Sequence, residues 1–340
     1  MLLTKSVCLP ASDDSSFSKD GVFKIVVKPP FDFVLYYNVM LHGQSFPLPY
    51  LFSETSWRCI LTARTGNRIP TYVVSARDEH SSYLVVKPLR DCSTDEQNQL
   101  REDIAKVFCC ELDLKPFYRE VFEDASFFLI INKLFGLKPN LSQDPFEALI
   151  KAVIRQLVHA DTARRSISML IRRFGSNEVI DGEDYYSFPS PETLSKATKN
   201  DLLSCKVGYK WKLIKKLSKD VASNDLNFCE LQGLKNEEIV DILTENKGIG
   251  YWTSRIFLYD GLKKLDEYPI HDISLKKAIS LVYFQEKTIS WEEVESFFER
   301  YRHFIGIAAC YLFGALWVER NLHHVERDLQ KPIICNSWYY

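Results

Sequence analysis

The sequence predicts an α+β amino-terminal domain, an antiparallel sheet plus a helix, followed by an all-α domain. Three observations predict it. Short β-branched and aromatic runs, separated by Gly, Pro, Asn and Ser, crowd the stretch before residue 90. Strand signals then stop near Lys115, and apolar residues recur at helical spacing. A glycine turn, Gly248-Ile249-Gly250, joins two of those helical stretches. The length of 340 residues suits two domains. A hydrophobic fraction of 46% with 26% charged residues excludes a wholly disordered chain.

Residues 1–20 read as a flexible polar tail. From residue 21 to 115, FKIVVKP, DFVLYYNVML, WRCILTA, PTYVVSA and SYLVVKPL read as strands, and the stretch from Ser93 as a helix with Ser93 at its N-cap. The helical domain spans 116–325, with a tail over 326–340. Pro116 to Phe135 reads as a helix stopped by Gly136 and Pro139. Asp144-Pro145-Phe146-Glu147 places a cap, a first-turn proline and an acidic third residue at the start of another. Its apolar stripe runs through Phe146, Leu149, Ile150, Val153, Ile154, Leu157 and Val158. Asp161 to Phe174 is helical, Ile180 to Pro191 reads as an acidic loop, and Ser190-Pro191 opens the next helix. Helices flank the glycine turn, over 234–245 and 251–262. Ser290 to Glu293 forms a capping box, and Arg302 to Arg320 is the last long helix.

The net charge is −2, so any nucleic-acid contact must rest on local positive charge. The most basic segment carries Lys206, Lys210, Lys212, Lys215, Lys216 and Lys219. A solvated helix face is one reading, and contact with a DNA backbone is the other. The nine cysteines are scattered without CxxC spacing, which argues against zinc and iron–sulfur sites and for reduced thiols. No secretory signal is recognised, and the longest apolar run, Phe304 to Val318, is shorter than the roughly 18–20 residues of a membrane span. An intracellular protein with reduced cysteines and no membrane partner is expected.

The stretch from Lys247 to Lys276 carries the chemistry. A glycine turn at the start of a helix lets backbone N–H groups approach an anion such as a phosphate, although GxG is also common in ordinary helix–helix turns. Asp272 follows Pro269-Ile270-His271 and precedes an apolar helical run, where an aspartate can act simply as an N-cap.

Turn, proline loop and aspartate together resemble the helix–hairpin–helix superfamily of DNA glycosylases, and within it the 3-methyladenine DNA glycosylase II type. Gly248-Ile249-Gly250-Tyr251-Trp252-Thr253 is similar to that group's GIGxWT. Phe146-Glu147 with Gln156-Leu157-Val158 resembles its FE…QLV helix, and Arg302 with Leu316-Trp317 its R…LW ending. The resemblance covers residues 20–320 and is strongest over 144–320.

It implies a two-lobed helical domain with the active site in the cleft. The expected substrate is double-stranded DNA carrying a damaged base, most of all an alkylated purine, flipped from the stack. Asp272 would stabilise positive charge on the sugar as its N-glycosidic bond breaks. Trp252 and Tyr301 would stack on the base, with Tyr301 standing where the group carries a tryptophan. Lys247, Gly248, Ile249, Gly250 and Thr253 would form the phosphate-binding hairpin. Leu157 would be the wedge in the vacated space, unless it is a core leucine of its stripe. Lys210, Lys212 and Arg302 would contact the DNA backbone. Strand-cutting members carry a lysine nucleophile where this chain has Trp252, so base release without strand cleavage is expected. His271 is read as a bystander. The resemblance also implies Na or K on the hairpin carbonyls, no catalytic metal or organic cofactor, and a monomer. The alternatives are a glycosylase of the same fold for oxidised guanine or deaminated bases, and a DNA-binding helix–hairpin–helix protein without catalysis.

Overall fold

A computed structural model describes residues 21–41, 49–53, 56–77, 82–285 and 287–320. Both expected tails, 1–20 and 326–340, lie outside the described residues.

The first elements are β1 (Phe23–Val27), α1 (Phe33–Leu41), β2 (Leu51–Phe52), β3 (Ser56–Thr62), β4 (Arg68–Arg77), β5 (Ser82–Pro88) and α2 (Thr94–Val107). The strands form one antiparallel sheet in the order β1-β5-β4-β3-β2. Alternation sets its faces: Phe23, Ile25 and Val27 of β1 point inward, while Val26 is exposed. Ser93 caps α2 in a capping box with Glu96.

DFVLYYNVML, expected as a strand, is helix α1. Asp32 Oδ1 accepts from Leu35 N–H at 2.8 Å, and Phe33, Tyr36 and Val39 bury one face at three-residue spacing. Packing of Phe33 and Tyr36 against Phe108 overrides the β propensity of the segment.

The helical part begins with α3 (Lys115–Val121) and α4 (Ala125–Lys133), which replace the single helix expected over 116–135. The break is at Asp124, whose carboxylate caps α4 and also accepts from Tyr283 and Tyr301. Next come α5 (Pro145–Arg155) and α6 (Ala160–Phe174). The predicted acidic loop, Ile180 to Pro191, instead contains the turn and second strand of a hairpin, β6 (Asn177–Ile180) and β7 (Glu183–Tyr186). Its turn, Asp181-Gly182, has both residues at positive φ, as a two-residue hairpin turn needs. Arg58 of β3 pins it, pairing with Glu183 at 2.5 Å and donating to the Asp184 carbonyl. The remaining helices are α7 (Pro191–Lys196), α8 (Lys199–Ser204), α9 (Trp211–Ala222), α10 (Phe228–Leu231), α11 (Asn236–Thr244), α12 (Tyr251–Ile256), α13 (Ile273–Phe284), α14 (Trp291–Arg300) and α15 (Ile305–Arg320). A π-helical turn over Phe257–Gly261 continues α12.

Two apolar cores result. One joins the sheet with α1–α4 and α13–α15. The other is built from residues 146–262, the α5–α12 segment. The chain therefore leaves the first core after α4, builds the second, and returns at α13. Buried polar contacts tie the two where α5 starts. Tyr50 donates to Glu147 at 2.7 Å, and Ser142 donates through N–H and hydroxyl to Asp260 at 2.6 and 2.9 Å.

Candidate active site

The return into α13 places Asp272 beside an open cleft of about 2240 Å³. That exceeds the few hundred to about 1,000 Å³ of small-molecule pockets, so the cleft suits a segment of polymer. Asp272 is half-buried, and each of its carboxylate oxygens has donors. Oδ1 caps α13, accepting from the N–H groups of Ser274 (2.7 Å) and Leu275 (3.4 Å), and Oδ2 accepts from the Trp252 indole at 2.8 Å. N-cap and site residue are thus one side chain, and the cap fixes where the carboxylate points.

The hairpin forms the adjoining wall. Gly248 has φ +103°, in the left-handed region that favours glycine, and a Cβ there would meet Leu213 at 3.2 Å. Gly250 differs from expectation: at φ −115° and ψ −178° its backbone is ordinary extended chain, open on the Cβ side. Any demand for glycine at 250 comes from what approaches it from outside. Ile249 is buried in the second core, and Lys247 is exposed at the cleft. Thr253 is buried and receives a hydrogen bond from Gln156 Nε2 (2.7 Å), which also donates to the Gly248 carbonyl at 2.8 Å. Gln156 therefore ties the end of α5 to the hairpin, a link that no local pattern in the sequence signals. The carbonyls of Gly248 and Asn246 each accept one hydrogen bond, from Gln156 and Ile249. Each keeps a second lone pair, so neutral oxygens of this kind fit a weakly held monovalent cation.

Leu157 is 94% exposed, with φ +53°. It is not a core leucine, because α5 stops at Arg155 and the chain turns the residue out of its stripe. Lys212 is exposed and lines the cleft, as do Lys199 and Lys216.

Two expected site residues, Tyr301 and Arg302, stand away from the cleft, and a third, Lys210, borders it with its ammonium turned inward. Tyr301 is fully buried in the first core, among Phe117, Phe127 and Phe297, and its hydroxyl donates to Asp124 at 2.9 Å. As the C-cap of α14 its side chain packs inward, so it does not line the cleft. Lys210 is buried, and its ammonium donates to the carbonyls of Ile154 (2.7 Å) and Gln156 (2.5 Å). Those carbonyls lie at the end of α5, where helical partners run out, so this lysine closes a helix rather than facing DNA. Burial also lowers its pKa. Arg302 is exposed, pairs with Glu299 at 3.3 Å, and does not line the cleft.

The aromatic lining exists but comes from other residues. Besides Trp252, it includes Tyr259, Tyr268, Phe313 and Trp317, with Tyr209 and Trp211 also on the cleft wall. Tyr268 packs edge-on against Tyr259 (5.1 Å) and Phe313 (5.8 Å). Burial first, then the nearby Asp272, raises its pKa far above the usual range, so its phenol remains protonated. The signal available for Tyr268 was its place one residue before Pro269. His271 pairs with Glu295 at 2.9 Å, beside Trp291.

A two-lobed helical fold with a glycine hairpin and an aspartate-capped helix meeting at one cleft defines a class. Residues 150–303 match the family model of the HhH-GPD superfamily base excision DNA repair proteins. The chain is 26% identical over 243 residues to a DNA-3-methyladenine glycosylase of Bacillus subtilis, covering 70% of this chain and 80% of that protein. It is 25% identical over 260 residues to a probable N-glycosylase/DNA lyase of Methanothermobacter thermautotrophicus, covering 71% and 80%. Its fold is similar to that of the 3-methyladenine DNA glycosylase from Archaeoglobus fulgidus, with a TM-score of 0.76 and 25% identity over 88% of this chain and 98% of the other.

Proposed function

We propose that the protein is a monofunctional DNA glycosylase that hydrolyses the N-glycosidic bond of a damaged purine flipped from double-stranded DNA, alkylated purines foremost, and leaves an abasic site. The observation that carries this reading is the Asp272 carboxylate, held at the aromatic cleft by the Trp252 indole and the first N–H groups of α13. Relatives named 3-methyladenine glycosylases support the substrate class.

The duplex lies across the cleft mouth. The hairpin takes one backbone phosphate at the start of α12, where the first N–H groups of a helix lack intrahelical partners. Lys212 and Lys247 add positive charge there. Leu157 enters the stack as the damaged nucleotide leaves it. The base then stacks among Trp252, Tyr259, Tyr268 and Phe313. Stretching the bond to the base builds positive charge on the sugar, and the fixed anion of Asp272 stabilises it. The bonding electron pair goes to the base, water oxygen bonds to the sugar carbon, and the water's proton is released. Trp252 occupies the nucleophile position of strand-cutting relatives, and an indole cannot form a Schiff base.

Duplex oligonucleotides, each with one lesion, test the reading. Methylated purine should be released, with strand cleavage only after alkali. A protein–DNA adduct trapped by borohydride overturns the monofunctional mechanism. Binding of lesion-bearing duplex without base release would instead fit a non-catalytic DNA-binding protein.

A further inference from the structure

Arg155 is the last residue of α5, exposed at the same cleft as Asp272 and the aromatic rings. Among the described residues its side chain has neither a hydrogen bond nor an ion pair. This separates it from Lys210, whose ammonium is bound to carbonyls, and from Lys216, which is bound to Asp220 and Asn246. Arg155 therefore brings an uncompensated guanidinium to the aromatic lining that Asp272 also faces. Both charges act on the Tyr268 hydroxyl, with Asp272 raising its pKa and Arg155 lowering it. A base stacked on Tyr268 thus lies within the field of both.

The two charges ask different things of the leaving base. Asp272 stabilises the sugar whatever base departs. A purine methylated at N3 or N7 carries positive charge and departs neutral, so it gains nothing from a cationic donor. A neutral purine departs with negative charge growing on its ring, and a cationic donor stabilises that charge. The forked N–H groups of arginine also match the O6 and N7 acceptors of a 6-oxopurine in pairs.

We propose that Arg155 is a specificity-determining residue of this pocket, donating to the O6/N7 edge of a neutral 6-oxopurine lesion and so adding such bases to the alkylated purines the pocket takes. Arg155 stays protonated throughout. Bond cleavage and water addition run as for any base here, with electron density on the departing ring held by the guanidinium. This rests on the glycosylase reading above.

The test compares single-turnover base release by wild type and Arg155→Met from two duplexes, one with hypoxanthine and one with 7-methylguanine. Both bases carry the 6-oxo group, but only 7-methylguanine is cationic and blocked at N7. Because Arg155 is exposed and unpaired, the variant should fold as wild type does, checked by thermal melting. Hypoxanthine release should fall by about tenfold or more, while 7-methylguanine release is unchanged. An equal fall on both duplexes would assign Arg155 to a backbone phosphate and overturn the proposal. No change on either, or a wild type inactive on hypoxanthine, also overturns it while leaving the glycosylase reading intact. A wild type that releases neither base sinks both.

Discussion

The helix cap that Asp272 provides and the catalytic charge proposed for it can be separated by a pair of substitutions. In Asp272→Asn the cap survives, because Asn is as good an N-cap as Asp and its Oδ1 can keep accepting from Ser274 and Leu275. The negative charge is gone, and the amide would turn a donor towards the Trp252 indole. Losing that hydrogen bond at a half-exposed site costs about 1 kcal/mol, or roughly 2–4 °C in melting temperature for a protein of this size. Asp272→Ala removes the cap as well, for about 1 kcal/mol more. Activity should follow a different order. Removing one preorganised electrostatic group typically costs about 10²- to 10³-fold in rate, or ~3–4 kcal/mol of barrier, and both variants lose the same charge. Melting temperatures should therefore fall from wild type to the Asn variant to the Ala variant, while single-turnover base release falls by a similar large factor in both. Activity of Asp272→Asn within about tenfold of wild type would refute the charge-stabilising role. So would activity that merely tracks stability, because the aspartate would then be only a cap.

Leu157→Ala should leave the melting temperature nearly unchanged, since truncating so exposed a side chain stays within about ±0.5 kcal/mol. Base release from a fully paired duplex should nevertheless drop roughly tenfold, equivalent to about 1.4 kcal/mol of the few that flipping costs; equal rates would remove the wedge role. Tyr301→Phe should show the reverse, losing its hydrogen bond to Asp124 for about 1–2 kcal/mol of stability while base release from folded protein is retained. Selective loss of activity there would return Tyr301 to the site. Burial, with Glu147 adding to it, raises the Asp144 pKa to about 6 from a usual value of 3.8. Its contribution is thus fully present below about pH 4 and lost as pH rises through 6. Asp144→Asn keeps the cap without that loss, so its advantage over wild type in denaturant should grow from pH 4 to 7; a pH-independent difference would count against it.

How much was legible is clearest in individual residues. Caps at Ser93, Asp144 and Ser290 could be read directly, because a cap needs only a side-chain oxygen and an N–H two or three residues on. So could the alternating strands before residue 90, the hairpin, and Asp272 at the head of a helix. The α1 segment misled because aromatic and β-branched residues suit both states, and packing on Phe108 decides between them. The β6–β7 hairpin was signalled by Asp181-Gly182 and obscured by its acidic neighbours. Lysines 210 and 212 look alike in sequence, yet one caps α5 and the other faces the cleft.

By itself the sequence determined the class of protein: a sheet followed by helices, and a hairpin and an aspartate, each at the start of its own helix, with a proline loop between them. Turns, caps and periodicity act over a few residues, so they are written where they are used. Only the tertiary structure decided what surrounds Asp272. The cleft is walled by Tyr259 and Tyr268 before the return into the first core, by Phe313 and Trp317 after it, and by Arg155 and Leu157 more than a hundred residues earlier. Tyr301 adjoins the family's motif in sequence, yet the helix that ends on it turns it into the core.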